Sequence, residues 1–159
     1  RRIVRALEVI EITGRPFSAS LPRYEDIAPT VHIALRCERR LLDKRINDRA
    51  RAMFDGGLVE EVEALIDQGI REGETAPRAI GYAQALAVID GTMSVPEAVD
   101  STALATRQLA SRQIKWFRRD PRLHWIDVAL TEAGQCTDSE RSRLTRQAWE
   151  LVCARRGVA

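Results

Sequence analysis

Residues 31–54 read VHIALRCERRLLDKRINDRARAMF, a short apolar run followed directly by a longer amphipathic run. The apolar run at residues 31–35 predicts a strand inside a sheet that is covered on both faces. The spacing of apolar residues over residues 38–54 predicts a helix, which Gly56 and Gly57 then end. A buried strand that leads into a helix indicates an α/β fold, and the rest of the chain makes that fold predominantly helical.

Only one further strand is predicted, at residues 123–128 with Trp125 as its anchor. Because a two-stranded sheet is marginal alone, we expect both strands to join a larger sheet whose other members lie outside this chain. The remaining predicted elements are helices at residues 1–13, 58–69, 78–89, 96–119 (with a possible break near Ser101) and from residue 139 onward.

The composition is that of an ordinary soluble domain, with 159 residues, 45% hydrophobic and 30% charged. No apolar run reaches membrane-spanning length and no signal peptide is visible, so we expect a cytoplasmic protein without membrane contact. Cys37, Cys136 and Cys153 stand far apart and form no ligand pattern with the two histidines, which argues against a zinc site or a disulfide framework. The chain contains no GxxxxGKS or GxxxxGKT loop, so it is not expected to act as an ATPase or kinase alone.

Two arginines fall within the apolar face of the predicted helix at residues 38–54. A projection at 100° per residue places Arg45 and Arg49 one turn apart, beside Ile46 and Met53. Guanidinium groups in an apolar stripe are costly unless an anion meets them. The pair therefore indicates forked donors for phosphate oxygens, or else arginines that pair with buried carboxylates or extend to the rim.

The predicted helix at residues 96–119 carries a row of basic side chains without an acidic residue. Charges of both signs usually alternate on a solvated helix, so this pattern favours contact with a nucleic-acid backbone, with Trp116 beside it. A solvated face near an acidic neighbour is the alternative. We call this row the basic strip; its members are Arg107, Ser111, Arg112, Lys115, Arg118 and Arg119.

A glycine interrupts the start of the predicted helix at residues 78–89. Gly81 stands between Ile80 and Tyr82, where the missing side chain lets another part of the chain come close. Tyr82 can stack on a base or fill the core.

Four segments, in order and at matching spacing, resemble the tRNA dimethylallyltransferases, also called tRNA isopentenyltransferases. The similarity runs from residue 1 to about residue 128. The segments are RIVRALEV at 2–9 with TGRP at 13–16, LLDKRINDR at 41–49 with GLVEEV at 57–62, AIGY at 79–82, and TRQLASRQIKWFR at 106–118.

The resemblance implies the C-terminal part of a fold related to P-loop kinases, without its N-terminal phosphate-binding loop. Residues 1–28 would end a helical tRNA-binding insertion, residues 29–128 would form the C-terminal part of the catalytic core, and residues 129–159 would be a helical tail. The complete enzyme would transfer a dimethylallyl group from dimethylallyl diphosphate to the N6 amine of the adenine next to the anticodon. Its Mg²⁺ ligands and N-terminal half would lie outside this chain, which alone would be inactive.

The resemblance also implies roles for individual residues. Arg45 and Arg49 would stabilise the diphosphate, while Ala83, where the family often has a charged residue, weakens the case for a contact there. A non-enzymatic helical RNA-binding module and a lid-bearing fragment of a nucleotide kinase remain as alternatives. The residues that would bind the tRNA anticodon stem-loop are Arg1, Arg2, Arg5, Arg78, Tyr82, Arg107, Ser111, Arg112, Gln113, Lys115, Trp116 and Arg118.

Overall fold

The structure, a computed structural model, describes residues 2–15 and 24–156 and is mostly helical with a small parallel sheet. This confirms the predominantly helical α/β class. The elements are α1 (Arg2–Thr13), β1 (His32–Arg36), α2 (Arg39–Asp55), α3 (Leu58–Ala64), two short 3-10 helices (Ile70–Glu72 and Ala76–Arg78), α4 (Tyr82–Ile89), α5 (Val95–Phe117), β2 (Leu123–Asp127) and α6 (Asp138–Arg156).

β1 and β2 pair in parallel, and α2 to α5 form the crossover between them. In this register, Arg36 is the partner of Asp127 at the carboxyl ends of the two strands. The prediction of β1 at residues 31–35 was wrong by one residue at each end. Trp125 was also a wrong choice of anchor: it is half-buried, whereas Ile126 is 1% exposed. Successive side chains of a strand point to opposite faces, so only one of these two neighbours can enter the core.

Two clusters of buried side chains hold the helices together. In the smaller cluster, Ile46 and Ala50 of α2 meet Ala103 of α5, so these two helices lie against each other. This packing places the arginine pair of α2 next to the helix that carries the basic strip. The larger cluster joins the end of α2 to α3, α4 and the start of α5; its members are Phe54, Leu58, Val62, Ile70, Ala85, Leu86 and Ala98.

Gly81 explains why α4 begins at Tyr82 and not at residue 78 as predicted. Its φ is +98°, a left-handed value that ordinary residues avoid, and it is buried. A Cβ at this position would lie 3.3 Å from Cε of Met53 and 3.5 Å from Cδ2 of Leu58. The chain therefore turns sharply here and passes close to α2, as the glycine indicated.

Two other helices have different lengths from those predicted. α3 ends at Ala64, five residues earlier than expected, and the chain continues in turns to the first 3-10 helix. α5 runs through Ser101 without a break. It begins with a capping box, in which Glu97 accepts a hydrogen bond from the backbone N–H of Ser94 at 2.8 Å.

The terminal helices differ in how they attach to the rest. α1 exposes apolar side chains, with Ile3 77% and Leu7 59% accessible. α6 is fixed to the end of β2, because Arg143 donates to the backbone oxygen of Asp127 at 2.6 Å and Glu140 accepts from the backbone N–H of Ala129 at 2.8 Å. Within the described residues, no helix is both long and apolar enough to cross a membrane.

Candidate anion and nucleic-acid site

A groove of about 250 Å³ lies between α2 and α5, and we call it the α2–α5 groove. Arg45 and Arg49 line it from α2, and Leu109 lines it from α5. Ile80 enters from the turn before Gly81. The groove therefore combines apolar walls with two cationic side chains.

The prediction that Arg45 and Arg49 lie within the apolar face of α2 is wrong, and the alternative in which they extend to its rim describes their positions. Both are exposed, because the buried face of α2 is centred on Ile46 and Ala50 and the arginines stand at its edge. Their aliphatic stems can follow the groove while the guanidinium groups reach solvent. Among residues 2–15 and 24–156, neither arginine pairs with a carboxylate, so the alternative of buried acidic partners does not apply there.

A turn in the C-terminal tail supports Arg45 from one side. Gly134 is buried, and a Cβ placed on it would lie 3.6 Å from the backbone oxygen of Leu41. The backbone N–H of Gly134 donates to Thr131 at 2.7 Å, which closes the turn. Arg40 binds Glu132 of the same turn at 3.0 Å. Sequence reasoning missed this contact, since nothing in residues 129–136 indicates which helix they pack on.

The electrostatics near Arg45 also involve Cys37. Partial burial raises the pKa of the Cys37 thiol, and the positive charge of Arg45 acts in the opposite direction. The two side chains line a second, more apolar groove of about 480 Å³ together with Gln113. Gln113 therefore lies away from the basic strip, in the groove that Arg45 also lines.

The structure brings most of the basic strip together on one side of α5 and adds Arg39 from α2. Arg39 donates to the hydroxyl of Ser111 at 2.7 Å, and that hydroxyl donates to the backbone oxygen of Arg107 at 3.0 Å. Arg107 in turn donates to the side-chain oxygen of Asn47 on α2. Arg112 lines the same shallow depression as these residues. Arg39 was not predicted, because its approach to α5 depends on how the helices pack.

Lys115 and Arg118 continue this surface towards β1, where Arg36 joins them. Within the described residues Lys115 and Arg118 form no ion pair, whereas Arg36 pairs with Asp127 and Arg39 with Asp43. Trp116 lies one turn after Arg112 on α5, is 66% exposed and packs edge-on against Phe117 with ring centroids 5.1 Å apart. Its position one turn from Arg112 is the one expected for an aromatic side chain beside the basic strip.

The other predicted RNA-binding residues are dispersed. Arg1 and the side chain of Arg2 lie outside the described part of the chain, and Arg5 is exposed on α1. Arg78 is exposed in the second 3-10 helix. Tyr82 packs against the larger cluster, and its hydroxyl donates to Glu61, which raises the tyrosine pKa. This position favours the core-filling interpretation of Tyr82 over base stacking.

The described residues lack a cluster of metal-ligating side chains. They contain no group of three His, Cys, Asp or Glu side chains that could hold a metal ion. The cationic surface around the α2–α5 groove attracts anions and repels cations, so its chemistry also differs from that of a magnesium site.

Comparison with known proteins gives a consistent family. The family model described as IPP transferase matches residues 1–120. A tRNA dimethylallyltransferase of Pseudarthrobacter chlorophenolicus is 54% identical over 142 residues, covering 86% of this chain and 48% of the relative. The enzyme of that name from Streptomyces coelicolor is 49% identical, covering 96% of this chain and 46% of the relative.

A solved structure shows the same architecture. The tRNA isopentenylpyrophosphate transferase of Bacillus halodurans superposes with a TM-score of 0.70 at 30% identity, covering 99% of this chain and 47% of that one. The chain thus spans about half the length of the curated relatives and solved structures that it matches.

Proposed function

The chain belongs to the IPP transferase family, and we propose that it supplies the C-terminal part of a tRNA dimethylallyltransferase. The reaction would take place on tRNA in the cytoplasm. The N6 amine of the adenine next to the anticodon would attack the allylic carbon of dimethylallyl diphosphate. A carbon–nitrogen bond forms, the carbon–oxygen bond to diphosphate breaks, and the amine loses a proton.

One observation carries this proposal: a groove lined by two arginines and a surface of basic side chains share the same pair of helices. Arg45 and Arg49 line the α2–α5 groove, and Arg107 ties the basic strip to α2 through Asn47. A reaction between a diphosphate ester and an RNA base needs both surfaces close together. The fixed packing of α2 on α5 keeps them at a constant separation.

Arg45 and Arg49 would stabilise the negative charge that builds on diphosphate as the allylic bond breaks. Positioned donors that meet developing charge lower the barrier, since the interaction is stronger in the transition state than before it. Guanidinium groups suit this role because they remain charged and bind phosphate oxygens with two donors. Their exposure leaves them accessible to a ligand that enters the groove.

The basic strip would hold the phosphate backbone of the anticodon stem-loop. Arg107, Arg112, Lys115 and Arg118 supply the charge, and Ser111 fixes the neighbouring Arg39. Arg5 and Arg78, both exposed, would add contacts from other parts of the chain. Such phosphate contacts give affinity and position without reading the sequence.

The remaining parts of the catalytic apparatus would lie outside this chain. We place the phosphate-binding loop of a P-loop-kinase-like fold in the N-terminal half, with residues 29–128 completing the core, residues 1–28 ending a tRNA-binding insertion and residues 129–159 forming a tail. Magnesium, where the complete enzyme uses it, would take its ligands from that other half; the described residues contain no group of three His, Cys, Asp or Glu side chains that could hold it.

A chimera tests this proposal. The N-terminal half of the Streptomyces coelicolor relative is joined to this chain, and transfer of labelled dimethylallyl from its diphosphate to tRNA is measured. The chimera should transfer the label and this chain alone should not, with the intact relative as the positive control. Tight tRNA binding without transfer would favour the RNA-binding module, and ATP-dependent phosphoryl transfer would favour the kinase fragment; the names of the relatives support neither.

A further inference from the structure

Thr102 of α5 has a buried hydroxyl without a hydrogen-bond partner. The residue is 2% exposed, and within the described part of the chain its Oγ1 meets neither a donor nor an acceptor. Thr106, one turn later, shows the usual arrangement: its hydroxyl donates to the backbone oxygen of Thr102 at 2.8 Å. A buried hydroxyl that loses its water and gains no partner destabilises the folded protein, so such groups are rare and need an explanation.

The position of Thr102 supplies that explanation. It lines the α2–α5 groove opposite the two arginines, among apolar neighbours such as Ile46 and Met53. The Thr102 hydroxyl is closed off from solvent here, so rotation of its side chain about χ1 would be needed to bring it within reach of a molecule held at the bottom of the groove by Arg45 and Arg49.

The charges that line the groove determine which partner would donate the hydrogen bond. Two arginines without acidic partners among the described residues favour an anionic ligand, because a cation would be repelled. The oxygens of a phosphate or diphosphate group accept hydrogen bonds, and a threonine hydroxyl can donate one. A donor with no other acceptor is thus matched to an oxygen of the anion that the arginines hold.

We propose that Thr102 donates a hydrogen bond to an oxygen of the diphosphate group bound by Arg45 and Arg49, and that its hydroxyl is satisfied only in that complex. The inference rests on the proposed function, since it takes diphosphate to be the ligand of this groove. It adds a hydrogen-bond donor on α5 to a site whose other proposed donors lie on α2. Diphosphate binding then depends on the packing of α5 against α2, because donors come from both helices.

The test uses Thr102→Val, which keeps the shape and removes the hydroxyl, and Thr102→Ser, which keeps the hydroxyl, both in the chimera described above. Inorganic pyrophosphate is the probe for affinity, and the KM for dimethylallyl diphosphate is measured in parallel. Thr102→Val should weaken pyrophosphate binding and raise this KM about tenfold, the effect of one hydrogen bond to a charged acceptor. Its Tm without ligand should stay equal or rise, because the unpaired hydroxyl is gone. Thr102→Ser should bind nearly as the unmodified chimera does.

Loss of a ligand contact lowers the pyrophosphate affinity without lowering the Tm, whereas loss of a structural contact lowers the Tm. If Thr102→Val lowers the Tm and leaves pyrophosphate affinity unchanged, the hydroxyl serves the fold or an enclosed water, and the inference is wrong. If Thr102→Val lowers both the Tm and the pyrophosphate affinity, Thr102→Ser distinguishes the two explanations. Restored affinity with a Tm that is still lowered supports the hydrogen bond to diphosphate. Recovery of affinity and Tm together contradicts it. Thr145→Val, which removes an exposed hydroxyl on α6, controls for the substitution itself.

Arg49→Ala, measured in the same assays, distinguishes a failure of the Thr102 contact from a failure of the proposed diphosphate site. If it weakens pyrophosphate binding while Thr102→Val does not, only the role of Thr102 fails. If neither variant changes the affinity, the groove is not the diphosphate site, and the role proposed for the arginine pair fails as well.

Discussion

Gly134 lies buried against Arg45, and a Cβ at position 134 would stand 3.4 Å from the Cβ of Arg45. The turn that contains Gly134 is held by Thr131, whose backbone N–H donates to Gln135 at 2.9 Å. The C-terminal tail therefore touches one of the two arginines proposed to bind diphosphate. Residues beyond the matched family segment thus contribute to the position of a proposed site residue.

Gly134→Ala should reduce both stability and pyrophosphate affinity, whereas Gly91→Ala should reduce stability alone. The two glycines have similar left-handed φ angles, +74° and +67°, so alanine costs about 1–2 kcal/mol at either position. Nothing lies within 4 Å of a Cβ at Gly91, while one at Gly134 meets Arg45. Urea unfolding and pyrophosphate titration of the chimera measure the two effects. Equal affinities in both variants would show that the turn does not position Arg45.

Arg49→Ala in the chimera should lower the single-turnover rate about a hundredfold or more, on the scale of losing one charge-stabilising donor. Arg45→Ala should act in the same direction but more mildly, as it lies further from the centre of the buried face of α2. Affinity for tRNA should barely change in either variant. Arg51→Ala, an exposed arginine of the same helix outside the groove, is the matched control. Wild-type rates in both groove variants would remove the catalytic assignment.

Replacement of Arg112 and Arg118 by alanine should weaken tRNA binding and flatten its salt dependence. Each phosphate that the variant no longer binds should reduce the slope of log affinity against log salt by about 0.7–0.9, because fewer counterions are released. Affinities are measured over a series of salt concentrations. Alanine at Arg141 and Arg146, both exposed on α6, removes the same charge elsewhere. An equal slope in the two double variants would mean that the basic strip is merely solvated.

Acid should destabilise the chain over a defined range. Hydrogen bonds from Arg122 lower the pKa of Asp120 from 3.8 to about 2, and those from Arg143 lower the pKa of Glu140 from 4.5 to about 2. A carboxylate with a lowered folded-state pKa stabilises the fold above its unfolded pKa, and that contribution is lost as the pH falls through the folded value. The free energy of unfolding should therefore decline between about pH 4.5 and pH 2.

Asp120→Asn and Glu140→Gln provide the check on this pH dependence. Each variant should be less stable than the unmodified chain at pH 7 and should lose less stability on acidification, because one of the titrating groups is absent. Urea unfolding at pH steps between 7 and 2 measures both quantities. Unchanged pH profiles in both variants would mean that other carboxylates cause the acid sensitivity.

The sequence predicted the elements whose pattern is local. α2 and α5 have the periodicity of amphipathic helices, and both were placed within two residues of their observed ends. Gly81 was recognised as a point of close approach, although its left-handed φ excludes it from the helix to which it was assigned. Side-chain periodicity alone cannot report a backbone conformation that only glycine adopts.

The features that the sequence did not predict depend on residues far apart in the chain. The exposure of Arg45 follows from where α5 covers α2, and the role of Arg39 follows from its reach to Ser111. The proposed roles of Gly134 and Thr102 depend on neighbours that belong to other elements. A helical projection gives the angle of each side chain around the helix axis. It does not show which face of the helix a neighbouring element buries.

The parallel pairing of β1 with β2 also constrains the order of events during folding. Arg36 meets Asp127 across 91 positions of sequence, so closing this pair confines a long stretch of chain at a large entropic cost. The pairing of two five-residue strands offsets little of this entropic cost until α2 and α5 have docked and brought the strands closer together. We therefore expect the sheet to form late in folding, and its backbone amides should exchange with solvent whenever the two helices separate.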